Sequence, residues 1–169
     1  HGIAEGKYTI GLGQTEMAFC SDKELYLIIS AFAKSCLLKL FWQVDRSSVG
    51  YLAVASETLI DKSKSIKSAL MQLFEGNADI SGVDVKHACY GGTQALFDGL
   101  GFLYRTYHKQ QRLAIVVCTD IAVYADGPAR CTGGAGAIAL LLSPGAPLVF
   151  DNCLESIDGH HRYDFFKPV

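Results

Sequence analysis

The chain has 169 residues, half of them hydrophobic, and 17 acidic against 15 basic residues give a formal charge of −2. That length and apolar content fit one folded domain with its own core and exclude a disordered chain. The near-balanced charge leaves no basic excess for nucleic acid or an anionic membrane surface.

Six cysteines, at 20, 36, 89, 118, 131 and 153, form no C-x-x-C pair and no zinc spacing. They read as small hydrophobes of a reducing compartment. The start, His1-Gly2-Ile3, carries no charged n-region or signal h-region, so no targeting segment is expected and a cytoplasmic location is the default. Residues 1–19 are glycine-rich and predict a loop or short irregular segment. Gly11 and Gly13 lack the third glycine of a dinucleotide fingerprint. A helix is expected over residues 21–41, with Ser21 or Asp22 as cap and Glu24 at capping-box spacing from Ser21. Its stripe is Leu25, Ile28, Ile29, Phe32, Cys36, Leu37 and Leu40; Lys34 and Lys39 make it a buried amphipathic helix rather than a membrane span.

Residues 49–55 are free of charge and predict a strand buried on both faces, ending at Ser56-Glu57-Thr58. A helix follows over 66–74 with Ala69, Leu70 and Leu73 inward. Val83-Asp84-Val85 predicts a short strand running into Cys89-Tyr90-Gly91-Gly92. Behind that turn, residues 94–107 carry Leu96, Phe97, Leu100, Leu103, Tyr104 and Tyr107 at helical spacing. Residues 112–119 predict a buried strand ending at Asp120, and 135–142 and 148–150 two more. The tail from 158 is polar and aromatic without periodicity. Helices alternating with charge-poor strands give an α/β class with a buried sheet. In such sheets ligands gather at the carboxyl ends of the strands, where Glu57, Cys89 and Asp120 all fall.

Each of these residues has a chemical and a plain structural reading. Cys89 at a helix N-terminus faces unpaired backbone N–H groups and the positive end of the dipole, which favour a thiolate and could hold an oxyanion; the alternative is a buried structural cysteine beside a glycine turn. Glu57 is a proton carrier beside a buried strand or a solvated loop acid. Asp61 and Asp120 orient partners or cap turns. Lys62, Lys64 and Lys67 meet phosphates or form a solvated face. Thr132-Gly133-Gly134 lets backbone approach a ligand or is a simple turn. His160 and His161 lack a companion ligand set, so no metal is expected. His87, His108 and His160 are all conceivable partners for Cys89, and no spacing selects one.

Three blocks now point to a family. Glu57-Thr58-Leu59-Ile60-Asp61-Lys62-Ser63-Lys64-Ser65, Ala88-Cys89-Tyr90-Gly91-Gly92-Thr93 and Thr119-Asp120-Ile121-Ala122-Val123-Tyr124 resemble the hydroxymethylglutaryl-CoA (HMG-CoA) synthases of the thiolase superfamily. Residues 7–14, 129–134 and 163–168 resemble further family blocks in the right order. The resemblance implies a layered, thiolase-like α/β/α/β/α fold of two similar halves. Residues 1–169 match the N-terminal half, a mixed sheet with flanking helices, beginning after the family's first strand. The family's catalytic histidine and much of its CoA surface have no counterpart here.

By that resemblance, Cys89 matches the nucleophile acetylated by acetyl-CoA. Glu57 matches the general acid/base that deprotonates the acetyl methyl group for attack on acetoacetyl-CoA. Asp61, Asp120 and Asp164 match acids that support the site, Thr132 matches a substrate-contacting threonine, and Gly91 and Gly92 belong to the substrate-binding turn. No cofactor and no metal are implied beyond the CoA thioester substrates, and the complete protein is expected to be a homodimer. Three departures stand out: Ala55-Ser56 where the family commonly has Gly-Thr or Gly-Ser, Cys131 where it commonly has proline, and Pro128 where many members carry a ligand-binding asparagine. Two other readings stay open. One is a truncated, catalytically incomplete fragment, whose sheet would keep one face uncovered. The other is a ketoacyl synthase or thiolase relative with the same elbow, against which the 57–65 block argues.

Overall fold

The computed structural model describes residues 2–18, 25–58, 63–151 and 156–160, those from 25 to 32 through their backbone alone. The charge-free run at its centre is β1 (Val49–Ala55), in which all residues but Tyr51 are buried. Two strands flank it in parallel, β2 (Asp84–Val85) on one side and β3 (Leu113–Ala122) on the other. The last strand, β4 (Gly134–Leu142), returns antiparallel to β3, giving the order β2-β1-β3-β4. Parallel neighbours need crossovers. These are α2 (Ile66–Leu70), between β1 and β2, and α3 (Gly91–Gln110), between β2 and β3, while α1 (Leu25–Leu40) precedes β1.

Strand alternation divides the core into two layers. Leu52 and Val54 of β1 and Ile115, Val117 and Ile121 of β3 pack with Leu37 of α1 and Ile66 and Leu70 of α2. Ala53 and Ala55 of β1 and Ala114 and Val116 of β3 face Ala95 and Phe102 of α3. Helices therefore cover both faces of β1 and β3, contrary to the expectation of an uncovered face. At the entry end of these strands, Arg112 donates to the Val49 carbonyl (2.6 Å), to Asn77 Oδ1 (3.2 Å) and to the Asp79 carboxylate (2.7 Å). Asp84 caps α2 by accepting from the N–H groups of Ile66 (2.6 Å) and Lys67 (2.9 Å).

Several expectations need correction. Residues 148–150 form no strand; they follow a Pro-Gly turn and pair with no strand among the described residues, and Leu148 and Val149 are more than 80% exposed. Asp120 lies inside β3 rather than after it, because β4 keeps pairing as far as Ala122 with Gly134. The 66–74 helix is α2 followed by a 3-10 turn over Met71–Leu73. Within the irregular N-terminal stretch, Lys7–Gly11 form a single wide helical turn. The buried line of α3 is Gly91, Ala95, Gly99 and Phe102, flanked by the expected Leu96, Leu100 and Leu103, while Tyr104 is 87% exposed. A helix resting on the alanines of β1 and β3 approaches closely, so its contact line selects small residues that a search for large apolar ones passes over. The capping box read at 21–24 lies outside the described residues.

Candidate active site

The chain leaves β2 at Val85 and must reverse into α3 within a few residues. It does so through Ala88, whose φ of 38° is in the left-handed region that a Cβ disfavours. The N–H groups of Tyr90 and Gly91 both donate to the His87 carbonyl, at 2.9 and 3.0 Å, and fix the turn. Its two glycines serve by leaving space. A Cβ on Gly91 would stand 3.2 Å from the Val85 carbonyl oxygen, and one on Gly92 would stand 2.9 Å from Cys118 Sγ. The start of α3 thus seats on the ends of β2 and β3, and Cys89 emerges exposed. That exposure removes the reading of Cys89 as a buried structural cysteine. The start of the 20-residue α3 has no acidic residue in its first turn and no side-chain cap, so its dipole favours negative charge beside Cys89.

A second turn stands at the end of β1. Its organiser is Asp120, whose Oδ1 accepts from Ser56 Oγ (3.0 Å), Glu57 N–H (2.8 Å), Thr58 N–H (3.2 Å) and Thr58 Oγ1 (3.1 Å). Thr58 Oγ1 also accepts from the Ile121 N–H at 3.2 Å. Ser56 is buried, and Glu57 and Thr58 are half-buried. Asp120 is therefore the residue that fixes the backbone carrying Glu57.

The two turns share a cavity of about 360 Å³ lined by Ala55, Ser56, Ala88, Cys89, Gly92, Thr93, Leu96, Cys118, Asp120 and Leu140. One nucleophile, one carboxylate and a helix N-terminus border apolar wall residues, an arrangement suited to covalent acyl transfer. Burial pushes the Cys118 thiol up, and the Asp120 charge adds to the effect. Cys118 therefore stays a neutral thiol while Cys89 stands at the surface.

Other predicted residues are placed elsewhere. Thr132 is exposed and donates to the Ala129 carbonyl at 2.7 Å, apart from the cavity lining. Lys67 Nζ donates to the Ile80 carbonyl at 2.7 Å, so it is a strut rather than a phosphate ligand. His108 lies in the last turn of α3, about 25 Å from the helix start at 1.5 Å per residue, which excludes it as a partner of Cys89. His160 contacts Asp158, and among the described residues no group of three metal-ligating side chains occurs. Asp61, Lys62, His161 and Asp164 lie outside the described residues. The blocks at 7–14 and 129–134 meet, with the Tyr8 hydroxyl donating to the Pro128 carbonyl and the Gln14 amide to the Cys131 carbonyl.

Sequence reasoning missed Ser56, Thr58 and Cys118 as site residues. Strand periodicity held the signal for Cys118, since residues two apart share a face and Asp120 was already a candidate. Among the described residues no helix is long and apolar enough to cross a membrane.

Comparison with known proteins agrees with this geometry. Residues 1–147 match the family model described as hydroxymethylglutaryl-coenzyme A synthase N terminal. The hydroxymethylglutaryl-CoA synthase erg13B of Aspergillus fumigatus is 54% identical over 170 residues, covering 99% of this chain and 36% of the relative. The synthase of Saccharomyces cerevisiae is 51% identical over 167 residues (99% and 33%). That of Cricetulus griseus, named cytoplasmic, is 49% identical over 174 residues (99% and 32%). The chain spans about a third of the length of these curated relatives. Among solved structures, MvaS in complex with 3-hydroxy-3-methylglutaryl coenzyme A superposes with a TM-score of 0.71 at 37% identity, covering 84% of this chain and 34% of that one. The fold is thus α/β and thiolase-like, and the ketoacyl synthase reading gives way.

Proposed function

The chain belongs to the hydroxymethylglutaryl-CoA synthase family, and we propose that the complete protein condenses acetyl-CoA with acetoacetyl-CoA and water to give HMG-CoA and CoA. The observation that carries the proposal is the cavity that exposed Cys89, at the start of α3, shares with Ser56 and Asp120, the neighbour and the anchor of Glu57, which itself stands outside the lining. Cys89 sulfur attacks the thioester carbonyl of acetyl-CoA, the bond from carbonyl carbon to CoA sulfur breaks, and CoA leaves with a proton. Backbone N–H groups at the start of α3 stabilise the oxyanion of that step. Glu57 then takes a proton from the acetyl methyl group, and the carbanion forms a carbon–carbon bond to the ketone of acetoacetyl-CoA. The new alkoxide takes up a proton. Water hydrolyses the thioester to Cys89, releasing HMG-CoA and the free thiol.

In this reading Asp120 supports Glu57 through the backbone, Gly91 and Gly92 seat the helix start on β2 and β3 so that substrate meets its N–H groups, and Thr132 contacts the substrate from the exposed turn beyond the cavity lining. Asp61 and Asp164 keep their supporting roles from the resemblance. A cytoplasmic homodimer that uses CoA thioesters and no cofactor completes the proposal; cytoplasmic relatives support its location. Chromatographic detection of HMG-CoA from the two thioesters tests the activity. Glu57→Ala is expected to accept the acetyl group on Cys89 yet form no product. Normal product formation by that variant removes Glu57 from its role.

A further inference from the structure

The turn at 56–58 contains more hydrogen-bonding groups aimed at one atom than a turn needs. Four donors converge on Asp120 Oδ1, and two of them are side-chain hydroxyls, Ser56 Oγ at 3.0 Å and Thr58 Oγ1 at 3.1 Å. We infer that Ser56 and Thr58 are positioning residues for Glu57, two hydroxyls that bracket the carboxylate-bearing residue and lock its backbone to β3 above the Cys89 cavity. The inference rests on the condensing activity proposed above and assigns roles to two residues that activity alone leaves unassigned.

The proton count shows how the lock works. Each hydroxyl has one proton and can accept as well. Thr58 Oγ1 accepts from the Ile121 N–H (3.2 Å), so its own proton is free to go to Asp120 Oδ1 or to the Ile121 carbonyl, each at 3.1 Å. It thereby joins the turn to two successive residues of β3. Ser56 Oγ accepts from the Thr58 N–H (3.1 Å) and donates to Asp120. Glu57 lies between them with its own N–H on the same oxygen at 2.8 Å. Ser56 is only 6% exposed, so its hydroxyl has little bulk water to fall back on. A base that must meet a methyl proton on the thioester at Cys89 is sensitive to its position, since a 1 Å misplacement costs on the order of 100-fold in rate.

Thr58→Val keeps the shape and removes the hydroxyl, Thr58→Ser keeps the hydroxyl, and Ser56→Ala tests the other side. Each is made in the complete protein and assayed for acetylation of Cys89 by acetyl-CoA and for condensation with acetoacetyl-CoA. Thr58→Val is expected to slow condensation by about 10- to 100-fold, with KM and the acetylation rate essentially unchanged, and Thr58→Ser to restore it. Ser56→Ala is expected to show the same split to a smaller degree, which keeps the test decisive should Thr58→Val not fold. Full condensation in Thr58→Val or in Ser56→Ala overturns the inference, as does an equal fall in acetylation and condensation, or no recovery in Thr58→Ser. Absence of acetylation and condensation in the unsubstituted protein would instead overturn the proposed activity itself.

Discussion

The two ends of the β1–β3 pair are tied by the same device with opposite charge. At the entry end the Arg112 guanidinium gathers acceptors, the Val49 carbonyl, Asn77 Oδ1 and the Asp79 carboxylate. At the exit end the Asp120 carboxylate gathers donors from Ser56, Glu57 and Thr58. Both are charge-assisted knots. Only the second opens onto a cavity with an exposed cysteine beside a helix start. The knot therefore reveals how a turn is held, and the neighbouring cavity reveals whether holding it matters for chemistry.

The sharpest way to break the comparison is to cut each knot. Asp120→Ala is expected to lower condensation on the order of 100-fold per folded molecule by releasing the Glu57 turn. Arg112→Ala is expected to leave that rate unchanged while lowering stability by about 2 kcal/mol. Turnover beside denaturant melts reads both, and equal damage to turnover in the two variants would erase the distinction. A smaller effect tests the glycine seat under Cys89. Gly92→Ala sets a methyl 2.9 Å from Cys118 Sγ, an overpacking cost of about 1–3 kcal/mol partly offset by about 1 kcal/mol of helix propensity. Adding Cys118→Ala is expected to return the melt to its starting point, since the clash is with that sulfur. The mildest test is selective alkylation near neutral pH. A raised thiol has less thiolate to react, so Cys118 is expected to be labelled well after exposed Cys89. Peptide mapping over time reads the order, and simultaneous labelling would contradict it.

Much of this arrangement was legible in the chain itself. The charge-free run became β1 with its predicted bounds, 49–55. The glycine pair after Cys89 marked a strand-to-helix turn because only small residues let α3 seat on β2 and β3. Legibility failed where a partner decided the outcome. Residues 148–150 look like a strand locally and pair with nothing among the described residues. Asp120 looks like a strand terminator until β4 extends the ladder past it. On α3 the expected Leu96, Leu100 and Leu103 flank the contact, but hydrophobic periodicity also weighs exposed Tyr104 and gives no weight to buried Gly99, whereas close packing does the reverse. Ser56 and Thr58 were hidden for a similar reason: their partner, Asp120, is more than 60 residues away in the chain.

On this mechanism everything turns on Cys89 taking the acyl group. Peptide mass analysis of the complete protein after incubation with acetyl-CoA alone tests it most directly, with Cys89→Ala alongside. One acetyl group on the peptide containing Cys89, absent in the variant, is the predicted result. An acetyl group on Cys118 or another residue, or none on Cys89, would show that Cys89 is not the nucleophile.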